Sequence, residues 1–167
     1  MKPNLHDLHK KTSTGFAILI VSDSRTFETD ESGKTAKELI LGKDHQVITY
    51  EIVKNGKLQI LYALEKILHH PEIKVVVTSG GTGISNRDIT IETISELLDK
   101  RLDGFGELFR RLSYEEIGEA TMLSRALGGV VNGKLVFCLP GSVNAINLAL
   151  KRIILPGLGH ALNEVQR

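Results

Sequence analysis

Cysteine is nearly absent from this chain. There is one, Cys138, inside the apolar run LVFCL. A single cysteine excludes an intramolecular disulfide and leaves no cysteine pair for a zinc site. Within an apolar run it reads as a small core residue of a reduced protein. Long apolar runs are missing as well: none approaches the ~20 residues that span a bilayer, and the opening MKPNLHDLHKKTST has no apolar signal core. Charge of one sign is not in excess. Lys+Arg 21 against Asp+Glu 20 gives +1, which argues against a polyanion-binding surface and so against nucleic acid as a partner. No internal repeat, low-complexity tract or Pro/Ser linker divides the chain. The expectation is a soluble, cytoplasmic protein without membrane contact.

What is present suits one ordinary domain: 167 residues, 41% hydrophobic and 25% charged. Residues 1–13 form a polar N-terminal arm, with His6 and His9 read as solvated rather than as metal or interface groups. Residues 14–167 form a single α/β domain. FAILIV (16–21), QVITYEI (46–52), IKVVV (73–77) and KLVFCL (134–139) read as buried strands. Between and after them come helical patterns at 32–41, with Ser32 as N-cap, and at 58–68, ended by Pro71. Others follow at 91–100 with Thr90 as N-cap, at 103–112, from Ser113 through a capping box with Glu116, and at 143–154. The order β-α-β-α-β-α-α-β-α with near-continuous apolar strands predicts a three-layer, doubly wound, mostly parallel sheet with helices on both faces.

In such sheets ligands bind beyond the carboxyl ends of the strands. Four segments fall there: Ser22-Asp23-Ser24-Arg25, Lys54-Asn55-Gly56-Lys57, the stretch from Thr78 to Asp88 (TSGGTGISNRD), and Pro140-Gly141-Ser142-Val143-Asn144. Each alone is ordinary turn chemistry. Together, two glycine–hydroxyl loops and two carboxylates on one edge point to a phosphorylated ligand. Glycine lets backbone N–H groups face a concavity unobstructed, and Ser79, Thr82, Ser85 and Ser142 add hydroxyls. A carboxylate beside a phosphate calls for an intervening cation, hence Mg2+ near Asp88 or Asp23. The alternatives for Asp88 are a salt bridge with Arg87 or a cap near Thr90.

Two imitations are set aside. SGKT (32–35) has the end of a P-loop, but Glu28 stands where its first glycine belongs. Gly81 and Gly83 imitate a dinucleotide fingerprint, but the third position is Asn86 and the loop follows the third strand. No G-x-S-x-G pattern with a nearby histidine supports a serine hydrolase. His69-His70 ends a helix before Pro71 and reads as a dipole partner.

TSGGTGISNRDIT, then DGFGELFRRLSYEEIG, LSRALGG and CLPGSVNA, with VSDSR and TDESGK at the start, resemble the molybdopterin adenylyltransferase (MoaB/MogA) family over about residues 14–160. LSYEEIG and the polar arm are closer to the MoaB branch. The resemblance implies Mg-ATP-dependent adenylylation of molybdopterin with release of pyrophosphate, within molybdenum-cofactor assembly. It also implies a homo-oligomer (hexamer, or trimer) and a downstream molybdenum-insertion protein as partner. The MoaB branch also holds members without the activity. A non-catalytic molybdopterin-binding carrier, or an oligomer with a vestigial pocket, are therefore the rival readings.

Residue by residue, Gly80, Gly81, Thr82 and Gly83 match the phosphate-holding loop, and Asp88 the family's essential aspartate. Asp23 and Ser22 match the loop after the first strand, and Pro140, Gly141 and Ser142 the second glycine loop. Glu107, Ser124 and Arg125 match pocket-lining positions; the alternatives for Glu107 and Arg125 are surface residues. One departure stands out. Where active members read V-P-D-[DN]-K, this chain reads Val53-Lys54-Asn55-Gly56-Lys57. Asn55 keeps an oxygen but loses the charge, as a helper to Asp88 and Asp23 or as a simple Asn-Gly turn.

Overall fold

The computed structural model describes residues 13–167. The polar arm, with His6 and His9, lies outside the described residues except for Ser13. Among the described residues, six strands form one sheet in the order β2-β1-β3-β6-β5-β4. The parallel part consists of β1 (Gly15–Val21), β2 (Gln46–Val53), β3 (Ile73–Ser79) and β6 (Lys134–Leu139). All seven residues of β1 are buried, as a strand covered on both faces requires. Side chains alternate between two cores, following the period of two along a strand. Phe16, Ile18, Ile20, Val75, Val77, Phe137 and Leu139 face one layer; Ala17, Leu19, Val21, Val76, Val136 and Cys138 face the other. The first layer holds α1 (Glu31–Leu41), α4 (Asp103–Ile117), α5 (Val143–Ala149) and α6 (Leu155–Val165); the second holds α2 (Lys57–His69) and α3 (Thr90–Ser95). The three-layer, mostly parallel architecture is the expected one.

The elements differ from expectation in several places. The helix expected over 91–100 stops at Ser95, because the chain turns into the short strand β4 (Lys100–Arg101). Asp99 fixes that turn by accepting from Asn132 N–H at 2.7 Å. A strand β5 (Leu127–Val131) pairs antiparallel with β6 through the turn Asn132-Gly133, whose φ values are 49° and 72°. Both central residues at positive φ mark the favoured Asn-Gly hairpin turn. Ser113 opens no helix: it is buried within α4, where Phe105, Phe109 and Ser113 recur every fourth residue on the inward face. Ser32 is not the cap of α1. Asp30 caps it by accepting from Gly33 N–H, and Ser32 donates to Asp30 Oδ1 at 2.8 Å. Ile89, not Thr90, precedes α3. The last helix also runs on from α5 through a π segment, Leu150–Ile154, into α6.

Candidate functional site

The carboxyl ends of β1, β2, β3 and β6 lie side by side, so the four loops meet at one edge. The two glycine loops are bonded directly to each other. Gly80 N–H donates to the Leu139 carbonyl at 3.0 Å, and Ser79 Oγ donates to the Pro140 carbonyl at 3.3 Å. Gly80 and Gly81 have φ of 101° and 63°, the left-handed region that glycine alone enters freely. At Gly81 space is also absent: a Cβ would stand 2.3 Å from Thr90 Oγ1. The Gly81 carbonyl accepts from Thr90 N–H at 2.9 Å, which pins the loop to the start of α3.

Asp88 folds back over this loop. Its Oδ2 accepts from Ser85 N–H at 3.0 Å and from Ser85 Oγ–H at 2.7 Å. The carboxylate lies so near Gly83 that a Cβ there would come within 2.6 Å of Oδ2. Neither alternative for Asp88 is adopted: it makes no ion pair with Arg87 and caps no helix, serving instead its own turn.

On the β1 loop, Ser22 Oγ accepts from the N–H groups of Ser24 and Arg25 at 3.3 and 3.1 Å. Asp23 Oδ1 accepts from Asn55 N–H at 3.0 Å, and the Asp23 carbonyl accepts from Lys54 Nζ at 2.6 Å. Asn55 reaches across to the third loop, where its Nδ2 donates to the Arg87 carbonyl. Buried polar atoms around this edge that have no hydrogen-bond partner among the described residues include Asn55 Oδ1, Thr90 Oγ1 and Arg125 Nε. Unpartnered buried polar groups are costly and recur at functional sites.

On the β6 side, Ser142 Oγ accepts from Ala145 N–H at 3.1 Å, capping α5 with its own hydroxyl hydrogen left to donate. Pro140, Ser142, Ser124 and Asn144 line a concavity of about 120 Å3 floored by Phe109 and Leu148. Arg125 Nη2 donates to Glu92 Oε1 on α3 at 2.6 Å. Glu107 stands apart, in a second concavity of about 240 Å3 with Arg101 and Arg110. Ser79 and Thr82 are buried, so the hydroxyl of Ser79 braces the loops from beneath.

The sequence reading gave Arg25 no role, yet it joins three parts of the edge. Its Nη2 donates to the Gly141 carbonyl at 2.6 Å, and Nη1 donates to Ser32 Oγ at 2.6 Å and to the fully buried Asp30 at 3.4 Å. Asp30 also accepts from the Tyr50 hydroxyl. Burial, with the Asp30 hydrogen bond, pushes the Tyr50 hydroxyl pKa upward. The signal was a pattern split over a turn: Arg25, Asp30, Ser32, then Tyr50 on the neighbouring strand.

The remaining imitations behave as read. Lys34 is half-exposed and donates to the Glu28 carbonyl and to Glu31. Cys138 is buried and its thiol is pushed up to about 12 by desolvation, so it is no nucleophile near neutrality. No helix among the described residues is long and apolar enough to cross a membrane.

Residues 17–160 match the family described as the probable molybdopterin binding domain. The chain is 51% identical to molybdenum cofactor biosynthesis protein B of Bacillus cereus over 151 residues, 90% of this chain and 89% of that protein. It is similar to a crystal structure of molybdenum cofactor biosynthesis protein B, with a TM-score of 0.90 and 49% identity over 93% of this chain and 98% of the other. The tungsten cofactor synthesizing protein MoaB from Pyrococcus furiosus follows at TM-score 0.84 and 42% identity, covering 93% and 98%. The molybdopterin biosynthesis Mog protein from Mycobacterium ulcerans shares the fold at TM-score 0.81 but only 27% identity, covering 93% and 99%. The glycine loops, their carboxylates and this ranking agree: the chain belongs to the molybdenum cofactor biosynthesis MoaB/MogA family, on its MoaB side.

Proposed function

We propose that this chain adenylylates molybdopterin. The terminal phosphate oxygen of molybdopterin forms a bond to the α-phosphorus of ATP. The bond from that phosphorus to the bridging oxygen breaks, and pyrophosphate leaves with the electron pair. Chemistry of this kind needs positioning and charge neutralisation more than covalent help. The observation that carries the reading is the pairing of two glycine loops, bonded to each other, with Asp88 held over the first of them.

The donor set suits Mg2+. Asp88 Oδ1 and Asp23 Oδ2 accept no hydrogen bond among the described residues, and both are hard oxygens. No group of three or more His, Cys, Asp or Glu among the described residues stands ready to hold a metal alone. A cation here would share its ligands with substrate phosphates, as Mg2+ commonly does. When bound, it would neutralise charge on the phosphates. The N–H groups of Gly81, Thr82 and Gly83 orient the phosphate oxygens, while that of Gly80 ties the loop to the Leu139 carbonyl, and the Ser142 hydroxyl donates to an oxygen at the second loop. Arg125, now held by Glu92, can offset charge on the leaving group.

Asn55 favours one rival, a carrier that binds molybdopterin without turnover, because its oxygen is buried rather than offered to a ligand. Purified protein with Mg-ATP and molybdopterin separates the two: adenylylated product and pyrophosphate are expected. Tight binding without product leaves the carrier. We further propose a homo-oligomer, hexamer or trimer, that passes its product to a molybdenum-insertion protein. Exposed Tyr114 and Ile117 at the end of α4, with Met122 and Leu123 in the 3-10 turn that follows it (Gly118–Leu123), support self-association.

A further inference from the structure

The loop after β2 carries a residue whose contacts suit a task other than holding a metal. Asn55 touches three neighbours. Its backbone N–H donates to Asp23 Oδ1. Its side-chain Nδ2 donates to the Arg87 carbonyl. Its Oδ1 is buried without a partner and faces Gly81, where a Cβ would stand 3.0 Å away. A carbonyl only accepts, so the side chain must offer it a donor. That requirement fixes the orientation of the amide and turns its oxygen inward.

We propose that Asn55 is a positioning residue. Its amide clamps the Arg87 carbonyl and so sets where the adjoining Asp88 carboxylate stands, while its backbone N–H does the same for Asp23. The proposal rests on the reading of Asp88 and Asp23 as the carboxylates of the phosphate site. It reverses the meaning of the departure in this loop. Aspartate, the residue the motif leads one to expect, has no side-chain proton to donate when ionised and would set a negative charge against a carbonyl oxygen. In this chain the substitution Asn55→Asp therefore restores no missing ligand; it breaks the clamp.

Thermal melting of the full chain at pH 7.5 tests this, with the parent, Asn55→Asp and Asn55→Ala compared. At pH 7.5 Asn55→Asp is expected to melt about 4 °C below the parent. Asn55→Ala, which also lacks the donor for the Arg87 carbonyl, loses stability too. Turnover of Asn55→Asp falls about tenfold or more, with KM for ATP unchanged, since the defect is the aim of Asp88. The proposal is overturned if Asn55→Asp melts with the parent at pH 7.5, or if it tightens Mg-ATP binding and raises turnover. Should the parent itself form no product, the adenylylation reading falls, and the melting comparison still decides the role of Asn55.

Discussion

Arg25 ties the loop after β1 to the loop after β6. Its guanidinium holds the Gly141 carbonyl and the buried Asp30 together, and only the fold brings residues 25 and 141 into contact. Removing it leaves a buried carboxylate without its cation. Arg25→Ala is therefore expected to cost about 2 kcal/mol, read as a lower urea midpoint at unchanged m, and to weaken molybdopterin binding. Arg25→Lys restores charge but not the two-pronged geometry, and recovers part of the loss. Cys138 was legible, since an isolated cysteine within an apolar strand has one simple place to go. Its thiol is raised from 9.0 to about 12, so only the unfolded state ionises between those values. Stability from this group is intact below pH 9 and is lost as pH rises toward 12. Cys138→Ala should flatten the alkaline fall in the urea midpoint, and the parent thiol should resist Ellman's reagent until the chain unfolds.

At the scale of elements, strands with β-branched runs were legible because burial on both faces leaves a continuous apolar signature, as in β1 and β3. The β5–β6 hairpin escaped notice although its Asn132-Gly133 turn was in plain view. Its first strand, LGGVV, has glycines at its second and third positions and lacks that signature. Ser113 misled for the opposite reason: a capping-box spacing occurred inside a helix whose inward face, Phe105 and Phe109, had already decided the matter. Two substitutions test these assignments. Gly81→Ala meets both a φ of 63° and Thr90 Oγ1; a loss of about 2 kcal/mol in chemical denaturation is expected, with phosphate-ligand affinity reduced. Phe109→Ala, in the core beneath the smaller concavity, should cost about 3–5 kcal/mol.

For the whole molecule, sequence order alone placed the loops on one edge, because parallel strands joined by crossovers send their carboxyl ends the same way. It left open which residues of those loops touch each other. The mutual bonding of the glycine loops, the inward turn of Asn55 and the separation of Glu107 all depend on strand order and on contacts between loops. The exposed apolar residues at the end of α4 and in the 3-10 turn after it make a further prediction. Sedimentation should report a species larger than one chain, and Met122→Lys with Leu123→Lys should shift it toward monomer without unfolding it.

The central claim is that Asp88 serves phosphate transfer at the glycine loop. It is tested most directly by Mg-dependent formation of adenylylated molybdopterin in the parent and in Asp88→Asn, with molybdopterin affinity measured beside it. Asparagine keeps the acceptor oxygen that Ser85 needs but removes the charge. The account predicts product from the parent and a loss of about a hundredfold or more in Asp88→Asn, with binding and melting nearly unchanged. Equal turnover in the two proteins, or binding without product in the parent, would contradict it.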